Sequence, residues 1–376
     1  MPGTHALLSP SAAHRWMACP PSARQCENLP DTTSDYAAQG TEAHTLCEER
    51  LKVALGIKKR TSPLKNLRFY DEEMSECAND YVAFILEQSS AVPDAQIFIE
   101  HRVDMSRWVP EARGTCDCCI IGDGILHIID FKYGKGVPVN AENNPQFQLY
   151  ALGALEAFDF LYDFNTVRMT VFQPRLQTTS TWEVSKDDLV QWAEEMLKPV
   201  AELAFAGDGD YYSGEHCRFC KVKAECRERA KANLALAAYD FTEPALLEND
   251  EISSVLGKID ELVAWASDVK EYALAEALKG VNFTGFKVVE GRSNRIFTDD
   301  GKVTDTLEAS GYKGYMSEPK LLGITAIEKL VGKTKLNDLL GQYITKPQGK
   351  PVLVPEDDKR PVLPITTAAD DFADHI

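Results

Sequence analysis

The residues in this chain best suited to chemistry lie in one short segment, Gly114-Thr-Cys-Asp-Cys-Cys-Ile-Ile-Gly-Asp-Gly-Ile-Leu-His-Ile-Ile-Asp-Phe-Lys132. Asp123-Gly124 is a strong signal for a two-residue type I′ hairpin turn. If that turn forms, Gly122 faces Ile125, and counting outward sets Asp117 opposite Asp130. Lys132 then projects from the same face as Asp130. Opposed carboxylates in an apolar ladder repel, so something must compensate. A divalent cation does so, because Mg²⁺ is commonly held by one or two carboxylates together with water and a phosphate oxygen. Lys132 would stand beside the same phosphate, offsetting developing negative charge or helping to deprotonate water. The plainer alternative is a structural Asp117–Lys132 ion pair.

Upstream, Gly40-Thr41-Glu42-Ala43-His44-Thr45-Leu46-Cys47-Glu48 offers a further ligand. His44 and Glu48 are four apart and so share one helical face. A neutral imidazole suits Zn²⁺ better than Mg²⁺ or Mn²⁺, so His44 by itself reads equally as a structural residue.

Positioning these side chains requires helices before the hairpin and a sheet around it. Ser9-Pro10 opens a short helix that Pro20-Pro21 ends, and longer helices are expected over 34–55 and 71–88. Apolar, β-branched runs at 95–103, 114–121 and 125–133 predict three strands. Asn144-Pro145 supplies the cap and first residue of a helix to about residue 158. Strands at 166–173 and 179–184 follow, then a helix capped by Ser185 that runs to 205. This order predicts an α/β core with a mixed sheet. A helix over 221–238 leads to a polar boundary at 242–250. Beyond it the pattern predicts a long helix at 252–278, a short strand pair around 286–297, and helices near Thr304 and Thr325. The expected domains are 1–240 and a mainly helical 241–345, with 346–376 as a disordered tail.

Length and composition bound the rest. At about 150 residues per domain, 376 residues make two domains, or one with an appendage. With 44% hydrophobic and 26% charged residues the chain can bury a sizeable core. No apolar stretch approaches the roughly 18 residues that span a bilayer, and the N-terminus lacks a signal-peptide pattern. A cytoplasmic protein without membrane contact is therefore expected. The balance of 40 basic against 58 acidic residues, a net charge of −18, excludes an all-over nucleic-acid coat and leaves local patches.

Taken in order, the motifs resemble the PD-(D/E)XK nuclease superfamily in its RecB-like branch. Gly40-Thr41-x-x-His44, Gly114-x-x-Asp117, Asp130-Phe131-Lys132 and Gln146-x-x-x-Tyr150 follow one another as in that family. The resemblance implies a restriction-endonuclease-like core in which His44, Asp117 and Asp130, with the Phe131 carbonyl, ligate Mg²⁺ or Mn²⁺. Lys132 would be the catalytic lysine, and Gln146 and Tyr150 would position the nucleic-acid strand or the active-site network. For Gln146 and Tyr150 an ordinary helix surface with a half-buried Tyr is the alternative.

Among the 10 cysteines, Cys26, Cys47, Cys77, Cys116, Cys118 and Cys119 read as small buried hydrophobes. Cys19, Cys217, Cys220 and Cys226 instead look like the iron–sulphur staple of AddB-type and CRISPR-associated RecB-like nucleases, one N-terminal and three C-terminal cysteines bracketing the core. Four thiolates suit a 4Fe-4S cluster or structural zinc, and the remoteness of Cys19 in sequence favours iron–sulphur. Such a staple would pin the first helix to the end of the core. Arg218, Lys221 and Lys223, with Arg227, Arg229 and Lys231, form one candidate nucleic-acid contact. Lys58, Lys59 and Arg60, with Lys65 and Arg68, form another. Tyr211, Tyr212 or Phe219 could stack bases. Solvated surface charge explains each cluster equally well.

The resemblance covers about 9–238 and extends, less specifically, to an uncharacterised family of phage and prophage proteins with this core and a C-terminal extension. It implies a metal-dependent DNA nuclease hydrolysing phosphodiester bonds, an exonuclease preferring single strands or ends. Phage recombination or replication is the implied setting, with partner proteins meeting the C-terminal region. The rival expectation is a non-hydrolytic DNA-binding or assembly protein that retains the nuclease fold.

Overall fold

Helices precede the sheet, as the capping residues require. In the computed structural model, short α1 (Ala13–Ala18) and α2 (Ser22–Glu27) lead to α3 (Asp35–Ala54) and α4 (Glu72–Ser90). Asp71 caps α4 by accepting the Met74 N–H at 2.7 Å, which satisfies one of the four donors a helix start leaves open. The structure describes residues 6–30, 35–62, 67–122, 124–136, 138–235, 248–313, 315–317, 320–355, 358 and 360–364. Asp123, Lys65 and residues 242–247, on which the turn type, one basic contact and the boundary were read, lie outside them.

Five strands then form one sheet in sequence order: β1 (Gln96–Asp104), β2 (Arg113–Gly122), β3 (Gly124–Phe131), β4 (Phe164–Gln173) and β5 (Thr178–Ser185). Only β3 and β4 run parallel, and a parallel pair needs a crossover. That crossover contains α5 (Pro145–Phe158), where Asn144 accepts the Gln146 N–H at 3.1 Å and Pro145 takes the first position. The sheet is thus mixed and flanked by helices.

Both faces are covered, which is why β2 and β3 read as nearly continuous apolar runs. On one face Leu46, Leu51, Met74, Tyr81 and Ile85 of α3 and α4 pack with Cys118, Ile120, Ile129 and Phe131. On the other, Trp16, Phe147 and Leu152 pack with Cys119, Ile121, Ile128 and Met169. Each such large side chain contributes about 1.5–3 kcal/mol on burial.

After β5 come α6 (Lys186–Trp192), capped by Ser185, a single π-helical turn at Ala193–Leu197, and α7 (Lys198–Ala206). The last described helix before residue 236 is α8 (Arg227–Leu234), with Cys226 at its N-cap. It starts later than expected because turns occupy the residues between Cys220 and Cys226.

The chain divides into two compact units, Met1–Ile252 and Ser253–Ile376. The division falls within α9 (Asn249–Leu278), after which come β6 (Phe286–Glu290), β7 (Ile296–Phe297), α10 (Asp300–Ala309), β8 (Met316–Ser317), β9 (Lys320–Leu321), α11 (Ile324–Val331), α12 (Lys333–Leu340), β10 (Ile344–Thr345) and β11 (Pro351–Pro355). Val303, Leu307, Ile327, Leu336 and Leu340 form the second unit's core. Two expectations need correction here. The strands near 286–297 do not pair with each other: β6 pairs with β11 and β7 with β10. The stretch read as an aperiodic tail supplies β11, with Val352 opposite Val289, and Val362 also bridges Val289. Residues 365–376 lie outside the described set. Among the described residues, no helix is long and apolar enough to cross a membrane.

Candidate functional site

β2 and β3 pair from Gly122 opposite Ile125 to Cys118 opposite Ile129, the register that a turn at Asp123-Gly124 dictates. One residue further the ladder gives way, and Asp117 Oδ2 accepts the Phe131 N–H at 2.8 Å. Side-chain alternation breaks at the same point. Cys116 and Cys119 belong to one core and Cys118 to the other.

On the neighbouring strand the register skips Glu100, which falls between Ile99 opposite Cys118 and His101 opposite Cys116. Glu100 has φ of 49°. A non-glycine residue held in this region costs on the order of 1–3 kcal/mol, and such strain gathers at functional sites.

At these irregularities Glu100 and Asp117 meet His44 of α3. His44 Nδ1 of α3 lies 3.3 Å from Asp117 Oδ2. Among the described residues, His44, Glu100 and Asp117 form the one group of three or more His, Cys, Asp or Glu side chains whose ligand atoms all lie within 4.8 Å of one another. They line a cleft with Cys47, Glu48, Tyr81, Ile99 and Phe131. The His44 ring stands edge-on to Phe131 at 5.3 Å, and the buried Tyr81 hydroxyl has no hydrogen-bond partner. Glu100 and Tyr81 escaped the sequence reading. Glu100 had one signal, an acid following the apolar run Ile97-Phe98-Ile99.

Asp130, expected as the third ligand, is not in that trio. Its Oδ2 lies 2.9 Å from Lys132 Nζ. Lys132 therefore pairs with Asp130 and not, as the structural alternative had it, with Asp117. Two carboxylates and an imidazole on a cleft, with the buried Asp130 carboxylate nearby, fit a hard divalent cation such as Mg²⁺ or Mn²⁺.

The charges are strongly coupled. Burial disfavours ionised Asp117, yet His44, the Phe131 N–H and Lys132 hold its carboxyl below the usual range. Burial also disfavours the His44 imidazolium, and Asp117 more than offsets this, raising its pKa. For Asp130, burial prevails over Lys132 and the carboxyl moves up. Lys132 is shifted up, because Asp130 outweighs the cost of burying its charge. Glu100 is pushed up to about 7 by burial and by the carboxylates of Asp117 and Glu48.

α5 brings in the remaining motif. Gln146 Nε2 donates to Tyr150 Oη at 3.2 Å, and Lys132 Nζ stands 5.8 Å from the centre of the Phe147 ring. The glycine of Gly114-x-x-Asp117 has a steric reason: a Cβ there would meet Tyr150 Cε1 at 2.9 Å and Pro10 Cγ at 3.1 Å. At Gly40, by contrast, a Cβ would meet open space.

The four singled-out cysteines come from three places: the end of α1, the 3₁₀ turn Glu215–Phe219 with the residue after it, and the cap of α8. His216 hydrogen-bonds with both Cys19 and Cys217, which raises the imidazole to about 10. Cys220 instead faces Cys26, at 3.8 Å between sulphurs, and Cys26 is buried as its sequence reading expects. Cys226 is partly exposed, the other three buried. Among the described residues, no three of these four cysteines have sulphurs all within 4.8 Å of one another.

The basic candidates are more committed than their sequence suggests. Lys58 Nζ binds Glu49 at 2.6 Å, and Lys221 Nζ donates to the Leu29 carbonyl at 2.6 Å. Arg229 is only 1% exposed, which removes it from any surface contact. Lys59, Arg60 and Arg218 are exposed, and Lys223 is partly so. Tyr211, Tyr212 and Phe219 are also exposed.

The family described as "Protein of unknown function (DUF2800)" matches residues 5–361. A solved structure titled "Crystal structure of SSO0001" aligns at 14% identity over 57% of this chain and 96% of that chain, with a TM-score of 0.23.

Proposed function

Since the chain belongs to the DUF2800 family, described only as of unknown function, we propose from its own residues that it is a metal-dependent nuclease of PD-(D/E)XK type. It hydrolyses phosphodiester bonds in DNA, acting as an exonuclease on single strands or ends, in phage recombination or replication. The observation that carries this reading is the convergence of His44, Glu100 and Asp117 on one cleft, beside the Asp130–Lys132 pair.

His44, Glu100 and Asp117 would hold Mg²⁺ or Mn²⁺, with Asp130 completing the set. When bound, the cation neutralises phosphate charge and lowers the pKa of the attacking water. Lys132 keeps its proton and presents a fixed positive charge to the phosphate, supported by Asp130 and Phe147. Gln146 and Tyr150, bonded to each other, would position the strand. Cys19, Cys217, Cys220 and Cys226 would bind a 4Fe-4S cluster as a staple, structural zinc being the alternative. Arg218, Lys223, Lys59 and Arg60 remain the candidate phosphate contacts, and the second unit the candidate surface for recombination or replication proteins.

Cleavage of labelled single- and double-stranded DNA, with and without Mn²⁺ or Mg²⁺, tests the activity. Metal-dependent shortening of the strands from their ends supports it. The net charge of −18 favours the rival reading, a DNA-binding or assembly protein, which predicts salt-sensitive binding without cleavage.

A further inference from the structure

Cys26 is buried at 3% exposure, yet its sulphur meets another sulphur and not only hydrocarbon. Cys26 Sγ on α2 lies 3.8 Å from Cys220 Sγ, a residue 194 positions later in the chain. Both are free thiols. The two segments are clamped on either side of this contact. Lys221 Nζ donates to the Leu29 carbonyl at 2.6 Å, and Gln25 Nε2 to Tyr211 Oη at 3.0 Å. From van der Waals contact, closure to a disulfide of about 2.05 Å is on the scale of a side-chain rotation.

We infer that Cys26 and Cys220 form a disulfide when Cys220 carries no metal and a hydroperoxide reaches the pair, making Cys26 a redox partner of the staple and not one of its ligands. The pairing itself stands on the geometry; its consequence for the staple rests on the cluster proposed above. One sulphur of the pair, as the thiolate, attacks one oxygen of hydrogen peroxide. The O–O bond breaks, hydroxide leaves, and that residue becomes a sulfenic acid. The other sulphur then attacks the sulfenic sulphur, the S–O bond breaks, and water departs. Two thiols lose two electrons and two protons, and the peroxide ends as two waters. The disulfide joins the two segments that the cluster would join and withdraws Cys220 from metal binding.

The test is peptide mapping of the full chain, purified anaerobically, with one portion stripped of metal by a chelator. Each portion is exposed to hydrogen peroxide, alkylated and digested without reductant. The expected result is a cross-linked peptide containing Cys26 and Cys220, lighter by about 2 Da than the sum of its thiol peptides, in the stripped portion. Any cluster-bearing portion resists at the same dose. Recovery of both residues fully alkylated, or of Cys220 bonded to Cys19 or Cys217, overturns the proposal, and this needs no variant. Cys26→Ser is expected to abolish the cross-link while leaving any visible absorption unchanged. Loss of that absorption would make Cys26 a ligand and also overturn it. A colourless wild-type protein that still forms the cross-link would sink the cluster and leave the disulfide standing.

Discussion

The site's chemistry turns on a few carboxylates whose charges cannot all be tolerated without a partner. Glu100 is the sharpest case, its carboxyl pushed up to about 7, first by burial and then by Asp117 and Glu48. Between its ordinary value of about 4.3 and that raised value, the unfolded chain has released a proton that the folded chain retains. The metal-free protein therefore loses stability as pH rises across this window, and Glu100→Gln removes that loss. A cation needs the carboxylate, so Mn²⁺ should raise the melting temperature more at about pH 8 than at about pH 5.5. Equal shifts at the two pH values would count against Glu100 as a ligand. Direct titration should show Glu100→Gln weakening Mn²⁺ binding by on the order of 10–100-fold, whereas unchanged affinity removes it from the site. Asp117, Asp130, Lys132 and His44 could be singled out in the sequence because motif spacing and strand pairing expose them. Glu100 could not, since its role depends on a backbone conformation at φ of 49° that spacing does not encode.

Elements deliver these residues through ordinary caps and close contacts. Gly114 sits so near Tyr150 that a Cβ would lie 2.9 Å from its ring. Overpacking of this kind costs about 1–3 kcal/mol. Gly114→Ala should therefore lower the melting temperature and displace Tyr150 from Gln146, readable as a change in Tyr150 exposure. A variant as stable as the wild type would show that the ring moves freely. Asn144→Ala removes the cap of α5 and should cost about 1 kcal/mol in denaturant unfolding. A larger loss would mean that Asn144 does more than cap. All five sheet strands and the longer helices around them could be read from the sequence, because hydrophobic period and turn residues are local signals; short α2, directly after Pro20-Pro21, could not. The pairing of β6 with β11 could not. Val289 meets Val352 across a stretch containing three other helices, and nothing local marks that partnership.

At the scale of the whole molecule, the net charge of −18 means that any DNA contact is confined to local basic groups. Binding should weaken steeply with salt, a shallow log–log slope arguing against phosphate contacts. The proposed staple would act at the same scale, joining an N-terminal helix end to the loop that precedes α8. Cys217→Ala should abolish broad visible absorption in anaerobically purified protein and lower its melting temperature; stoichiometric zinc in a colourless wild type would replace iron–sulphur in this account. The most direct measurement of the central claim is a cleavage time course on end-labelled single-stranded DNA, with anaerobically purified wild type beside Lys132→Ala and Asp117→Asn, each with Mn²⁺ and with chelator. The account predicts shortening only by wild type with Mn²⁺, and at least a roughly 100-fold loss in both variants. Cleavage unchanged in the variants, or no cleavage by intact wild type with Mn²⁺, would contradict it.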